Sequence, residues 1–173
     1  MHYLFLLATL VFISCNDEKK EIKISEVKET TTTYYLIRHA EKDRATTEDP
    51  GLTEKGKERA MFWATYFENT PLDAVYSTNY VRTKETAAPT AQNKSLAVTL
   101  YDANNLYDAS FQAATQGKTV LVVGHSNTTP ELVNAILGEK KYDHISDTEN
   151  GMLYKVLLPE MGETTVTVAK IEM

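Results

Sequence analysis

The sequence predicts an α/β protein, a three-layer α/β/α sandwich with a mostly parallel central sheet. Two observations carry this. From Thr31 onward, strand-like and helix-like runs alternate, and strands separated by helices imply a sheet covered on both faces. Thr119 to Gly124 (TVLVVG) is apolar without alternation, the pattern of a strand buried on both sides.

The elements follow in order. Thr32 to Ile37 (TTYYLI) is β-branched and aromatic, a strand by propensity. After a polar loop with Pro50 and Gly51, Thr53 can cap a helix whose apolar face is Ala60, Trp63, Ala64 and Phe67. Asp73 to Tyr76 is a short strand, and Thr78 to Gln92 is helical, with Pro89 disturbing its last turn. A strand at Ala97 to Tyr101 and a helix near Leu106 to Gln116 precede the TVLVVG strand. Thr129-Pro130 opens the next helix as a cap followed by proline, and Gly138 lies just past its end. Met152 to Leu158 and Thr164 to Ile171 close the chain as strands.

Composition bounds what such a domain can do. The 173 residues are 42% hydrophobic and 24% charged, enough for one well-buried core and too few for two full domains. Eighteen Lys and Arg against 24 Asp and Glu give a net charge of -6, which argues against an extended nucleic-acid surface.

Tyr3 to Ile13 (YLFLLATLVFI) is uncharged and, at 11 residues, too short to span a bilayer. That length suits the h-region of a secretory signal. The only cysteine, Cys15, follows in Phe12-Ile13-Ser14-Cys15, and the arrangement resembles a bacterial lipoprotein signal in which Cys15 is lipidated. The alternative is a core strand or helix with a buried thiol. From Asn16 to Glu29 nine of fourteen residues are charged, a solvated tether rather than the continuation of a core. The expected division is a signal peptide at 1–14, a lipidated cysteine and tether at 15–30, and a folded domain at 31–173, anchored by lipid in a bacterial envelope.

In a parallel sheet, ligands gather where strands end at their carboxyl edge. Arg38 and His39 follow the first strand, Ser77 and then Arg82 the second, and His125, Ser126 and Asn127 the TVLVVG strand. Two arginines can clamp a phosphoryl group bidentately. A neutral imidazole can attack phosphorus and split one hydrolysis into two displacements, while a second imidazole donates hydrogen bonds to the same oxygens. The set favours phosphoryl transfer.

Tyr35-Leu36-Ile37-Arg38-His39-Ala40-Glu41-Lys42 resembles the Arg-His-Gly or Arg-His-Ala signature of the histidine phosphatase superfamily, the phosphoglycerate mutase-like clan. Leu52-Thr53-Glu54-Lys55-Gly56 with Arg59-Ala60, Ser77-Thr78 through Arg82 to Thr86-Ala87, and Val122-Val123-Gly124-His125-Ser126-Asn127-Thr128 resemble its further motifs in order. The resemblance implies His39 as nucleophile, Arg38 and Arg82 as phosphate clamps, and His125 as the second histidine of the pocket, with no cofactor and no metal. Mutases of the clan carry a glutamate in an insertion absent here, which favours a compact phosphatase acting on a phosphorylated substrate, a small phosphomonoester.

Some assignments stay open. Gly56 either lets its helix pack close to the pocket or is a tolerated helix glycine costing about 1 kcal/mol. Ser126 and Asn127 either contact the anion from a helix N-terminus or satisfy local backbone groups. The general acid is Asp102, directly after the third strand, or Glu41, which also stands as a substrate contact; Asp108 lies farther along, and each is otherwise a cap or loop carboxylate. His144 fits no motif. Two rival functions remain, a phosphate-binding lipoprotein without turnover and a metal hydrolase using His39 and His125. Specificity is expected from the loops Asp43 to Gly51 and Asp102 to Ser110.

Overall fold

The computed structural model describes residues 30–45 and 48–173. The segment expected to be a signal, Cys15 and the expected tether up to residue 29 lie outside the described residues. The elements are β1 (Thr31–Arg38), α1 (Glu54–Tyr66), β2 (Ala74–Ser77), α2 (Val81–Asn93), β3 (Val98–Leu100), α3 (Ala109–Thr115), β4 (Thr119–Gly124), α4 (Thr128–Leu137), β5 (Met152–Pro159) and β6 (Thr165–Lys170). They build one six-stranded mixed sheet in the order β3-β2-β4-β1-β5-β6. Neighbours from β3 to β1 pair in parallel, while β5 runs against both β1 and β6.

Period-two alternation divides the core into two layers. Tyr34, Leu36, Val120 and Val122 face Phe111 of α3 and Leu132, Val133 and Ile136 of α4. Ile37, Val75, Leu121 and Val123 face Trp63 of α1, Phe67 just beyond it, and Ala87 and Ala91 of α2. Trp63 and Phe67 are fully buried, and truncating either to alanine is worth about 3–5 kcal/mol.

Local chemistry sets the helix ends. The Thr53 hydroxyl accepts from Gly56 N at 3.1 Å, so α1 starts where its cap predicts. Gly138, at φ 70°, closes α4 in the left-handed conformation. Two helices are shorter than the sequence suggests. The carboxylate of Asp49 accepts from Val81 N at 3.0 Å and starts α2 there, leaving Thr78 to Tyr80 as a turn. Asp108 accepts from Phe111 N at 2.7 Å and caps α3, leaving Leu106 and Tyr107 outside it. Among the described residues no helix is long and apolar enough to cross a membrane.

Candidate active site

Register brings the two histidines level. Arg38 pairs with Gly124 across β1 and β4, and His39 N continues the ladder to Gly124 O at 2.9 Å, so His39 and His125 leave adjacent strands at the same height. Their ring centroids are 5.5 Å apart at 68°. On the other side of β4, Ser77 pairs with Val123, which places Thr78 and the start of α2 beside His125.

His39 is held from three directions. Its carbonyl accepts from Asn150 Nδ2 at 3.0 Å, the next backbone N–H, of Ala40, donates to Thr86 Oγ1 at 2.9 Å, and the Ala40 carbonyl lies 2.7 Å from His39 Nδ1. A carbonyl only accepts, so Nδ1 carries the proton, and Nε2 of the neutral ring keeps its lone pair. Burial pushes the His39 imidazole pKa down to about 3, aided by the charges of Arg38 and Arg82 and opposed by the Ala40 hydrogen bond.

His125 holds the complementary tautomer. Arg82 Nη2 donates to its Nδ1 at 3.3 Å, so the ring proton sits on Nε2 and is donated to Thr78 Oγ1 at 2.9 Å. Thr78 donates in turn to Thr83 Oγ1 at 3.0 Å, and Thr83 ends the chain on the carbonyls of Thr78 and Tyr80. The Tyr80 ring meets His125 edge-on at 4.9 Å, and the Arg82 guanidinium lies over it at 4.6 Å. Burial, then the charges of Arg82 and Arg38, lower the His125 pKa to about 4.

Each arginine is braced by a carboxylate. Arg38 is buried and donates to Ser146 O at 2.7 Å, Glu149 O at 3.2 Å and Asp147 Oδ1 at 3.0 Å. Arg82 pairs with Asp49 at 3.4 Å. The Nε donors of both are buried without a hydrogen-bond partner among the described residues, and an unsatisfied buried donor is costly unless something occupies it. The cavity they share with His39, His125 and Asn127 is about 300 Å³ and open to solvent. Cavities of about 400 and 600 Å³ lie elsewhere; the first, lined by Thr30, Tyr34 and Pro159, has neither imidazole nor cation, and the second pairs exposed His144 with Glu131.

Two arginines and a neutral imidazole line one cavity. Residues 34–112 match the histidine phosphatase superfamily (branch 1). The matched segment carries Arg38, His39 and Arg82, while His125 lies beyond it. The native mycobacterial glucosyl-3-phosphoglycerate phosphatase shares the fold at a TM-score of 0.62 and 12% identity, over 82% of this chain and 100% of that one. Its complex with inorganic phosphate gives 0.60 and 13%, over 81% and 97%. The protein histidine phosphatase SixA complexed with tungstate gives 0.62 and 18%, over 78% and 94%. No curated protein matches the chain in sequence. The match over residues 34–112 supports a phosphatase enzyme, and the solved structures show its fold.

Arg38, His39, Arg82, His125 and Asn127 therefore meet at one cavity. Asn127 makes no side-chain cap bond to α4; Ser126 lines the same cavity. Asp102 does not join them. It is exposed, its carboxylate accepts from Asn104 N and Nδ2 at 2.8 and 3.2 Å, and the following Ala103 and Asn104 line the cavity instead. The reason is local: the Asp102 carboxylate is spent on the turn that it forms with Asn104. Glu41 is near but engaged, clasped by Arg59 Nε and Nη2 at 2.9 Å each. Burial pushes its carboxyl up, but Arg59 and Lys55 more than offset this and hold it below the usual carboxylate range. Gly56 packs so close that an added Cβ would collide with the Glu41 carbonyl. Among the described residues no group of three or more His, Cys, Asp or Glu is arranged to hold a metal ion.

The sequence reading missed Thr83, Asp49, Tyr80, Asp147 and Asn150. Tyr80 and Thr83 lie beside Arg82 in sequence and carried a local signal. Asp147 and Asn150 reach Arg38 and His39 across 109 and 111 residues, and no local pattern announces such a contact.

Proposed function

We propose that the chain hydrolyses phosphomonoesters through a phosphohistidine on Nε2 of His39, in a pocket formed by Arg38, Arg82 and His125. The observation that carries this reading is the His39 tautomer: Nδ1–H is committed to the Ala40 carbonyl, and burial keeps the ring uncharged. In the first step Nε2 bonds to phosphorus as the ester P–O bond breaks. The leaving oxygen takes its proton from water at the open mouth, since Arg59 holds Glu41 as a carboxylate and Asp102 is outside the lining. In the second step water attacks phosphorus and gives a proton to the hydroxide left by the first step, the P–N electron pair returns to Nε2, and inorganic phosphate leaves. Arg38 and Arg82, which line the cavity, take the phosphoryl oxygens through their guanidinium groups, and His125 steadies Arg82 through Nδ1.

The test uses the purified full chain with p-nitrophenyl phosphate. Turnover with an acid-labile phosphoprotein intermediate is expected, abolished in His39→Ala. Arg38→Ala and Arg82→Ala each lose on the order of 10²- to 10³-fold in kcat. Saturable phosphate binding without turnover would assign the chain to the non-catalytic class instead.

The same proposal places the domain on a bacterial membrane through lipid on Cys15, supported by the apolar run before that residue and the charged run after it. The mature protein then sediments with membranes in its native host. An intact mass with unmodified Cys15 rejects the anchor.

A further inference from the structure

The reacting cavity has a second lobe of about 260 Å³, which shares Arg38, His39, Lys42 and Asp147 with the first and adds Arg44 and Lys55. Two of its cations are already matched: Lys55 lies 3.7 Å from Glu41, and Arg44 lies 3.7 Å from Asp147. Lys42 makes no ion pair or hydrogen bond among the described residues, yet it lines both lobes and its charge bears on His125. A short bridge between Lys42 and Leu52 fixes its backbone beside the nucleophile.

The phosphoryl group does not need this charge, because the guanidinium groups of Arg38 and Arg82 already line the lobe that would take it. An unmatched ammonium that lines both lobes suits a second anion on the same molecule. We infer that Lys42 is the specificity-determining residue for substrates carrying a second anionic group, a carboxylate or another phosphate, a short distance from the scissile phosphate. The inference rests on the phosphatase reading above and adds the substrate class.

The test compares two esters that differ in one group, 2-phosphoglycolate and 2-hydroxyethyl phosphate. The full chain should prefer phosphoglycolate in kcat/KM by about tenfold or more, and Lys42→Met should reduce that ratio to near one. Lys55→Met, which removes a cation already paired with Glu41, should preserve the ratio. Calorimetric titration of both esters into His39→Ala protein, with and without Lys42→Met, should show the same preference in affinity, where no chemistry intervenes. Equal losses on both esters would make Lys42 a ligand of the scissile phosphate, and an unchanged ratio would make it a bystander. A collapse in Lys55→Met as well would assign the preference to the general field of the lobe. Each of these results overturns the inference. If p-nitrophenyl phosphate is turned over while neither assay shows a preference, only the inference falls; if there is neither turnover nor binding, the underlying function falls with it.

Discussion

His39 and His125 are chemically identical side chains given opposite tautomers by their nearest partners. A carbonyl takes the Nδ1 proton of one and a guanidinium claims the Nδ1 lone pair of the other, so only His39 turns a free lone pair toward the cavity. The same scale explains why neither acid foreseen in the sequence serves as proton donor. Glu41 is neutralised by Arg59, and Asp102 spends its carboxylate on the turn at Asn104. Hydrolysis should therefore depend steeply on leaving-group basicity. Phenyl phosphate should react far more slowly than p-nitrophenyl phosphate, and Asp102→Asn should change both rates less than about twofold, the size of an ordinary surface substitution. A loss confined to phenyl phosphate in Asp102→Asn would return the acid role to that residue. Arg38, His39, Arg82 and His125 were legible because each follows a strand end that hydrophobic patterning locates. Asp147 and Asn150 were not, because what they do depends on a contact made across the whole chain.

Strands were easier to read than helix boundaries. The sheet's apolar runs leave little freedom, whereas α2 and α3 begin where a particular carboxylate, of Asp49 or Asp108, meets a particular N–H. Strand order was not legible, and it decides which carboxyl-edge residues become neighbours: β4 lies between β2 and β1, and β3 falls at the edge. Packing between elements also settles Gly56. An alanine there would gain about 1 kcal/mol in helix propensity, but its methyl would collide with the Glu41 carbonyl, and overpacking costs about 1–3 kcal/mol. Gly56→Ala should come out destabilised by up to about 2 kcal/mol in urea unfolding. A more stable Gly56→Ala protein would show that the glycine is merely tolerated.

At the level of the whole molecule, the site draws on folding stability. His39 and His125 are buried in neutral form, with pKa values lowered to about 3 and 4, whereas in the unfolded chain each titrates near 6.5. Between those values the unfolded chain binds more protons, so stability rises with pH through this window and falls as the pH drops below about 6.5. From pH 7.5 to 5 the loss should be on the order of 2 kcal/mol per histidine, read as a lower urea midpoint. The double variant His39→Gln with His125→Gln should show a flatter profile. Equal pH dependence in that variant and the wild type would exclude the two rings as its source.

The brace on Arg38 has a consequence for how the protein is made. Every reacting side chain lies at or before His125, but the acceptors that fix Arg38 and the amide that fixes the His39 carbonyl come from Ser146, Asp147, Glu149 and Asn150. These stand immediately before β5, which docks against β1 from the far side of the chain. During synthesis the ribosome releases Arg38 and His39 well before the groups that hold them, whereas Asp49, the brace of Arg82, precedes its arginine. Proteolytic removal of the last thirty residues would delete no reacting group and still leave Arg38 unbraced. Activity thus reports that the polypeptide has been completed to its last two strands.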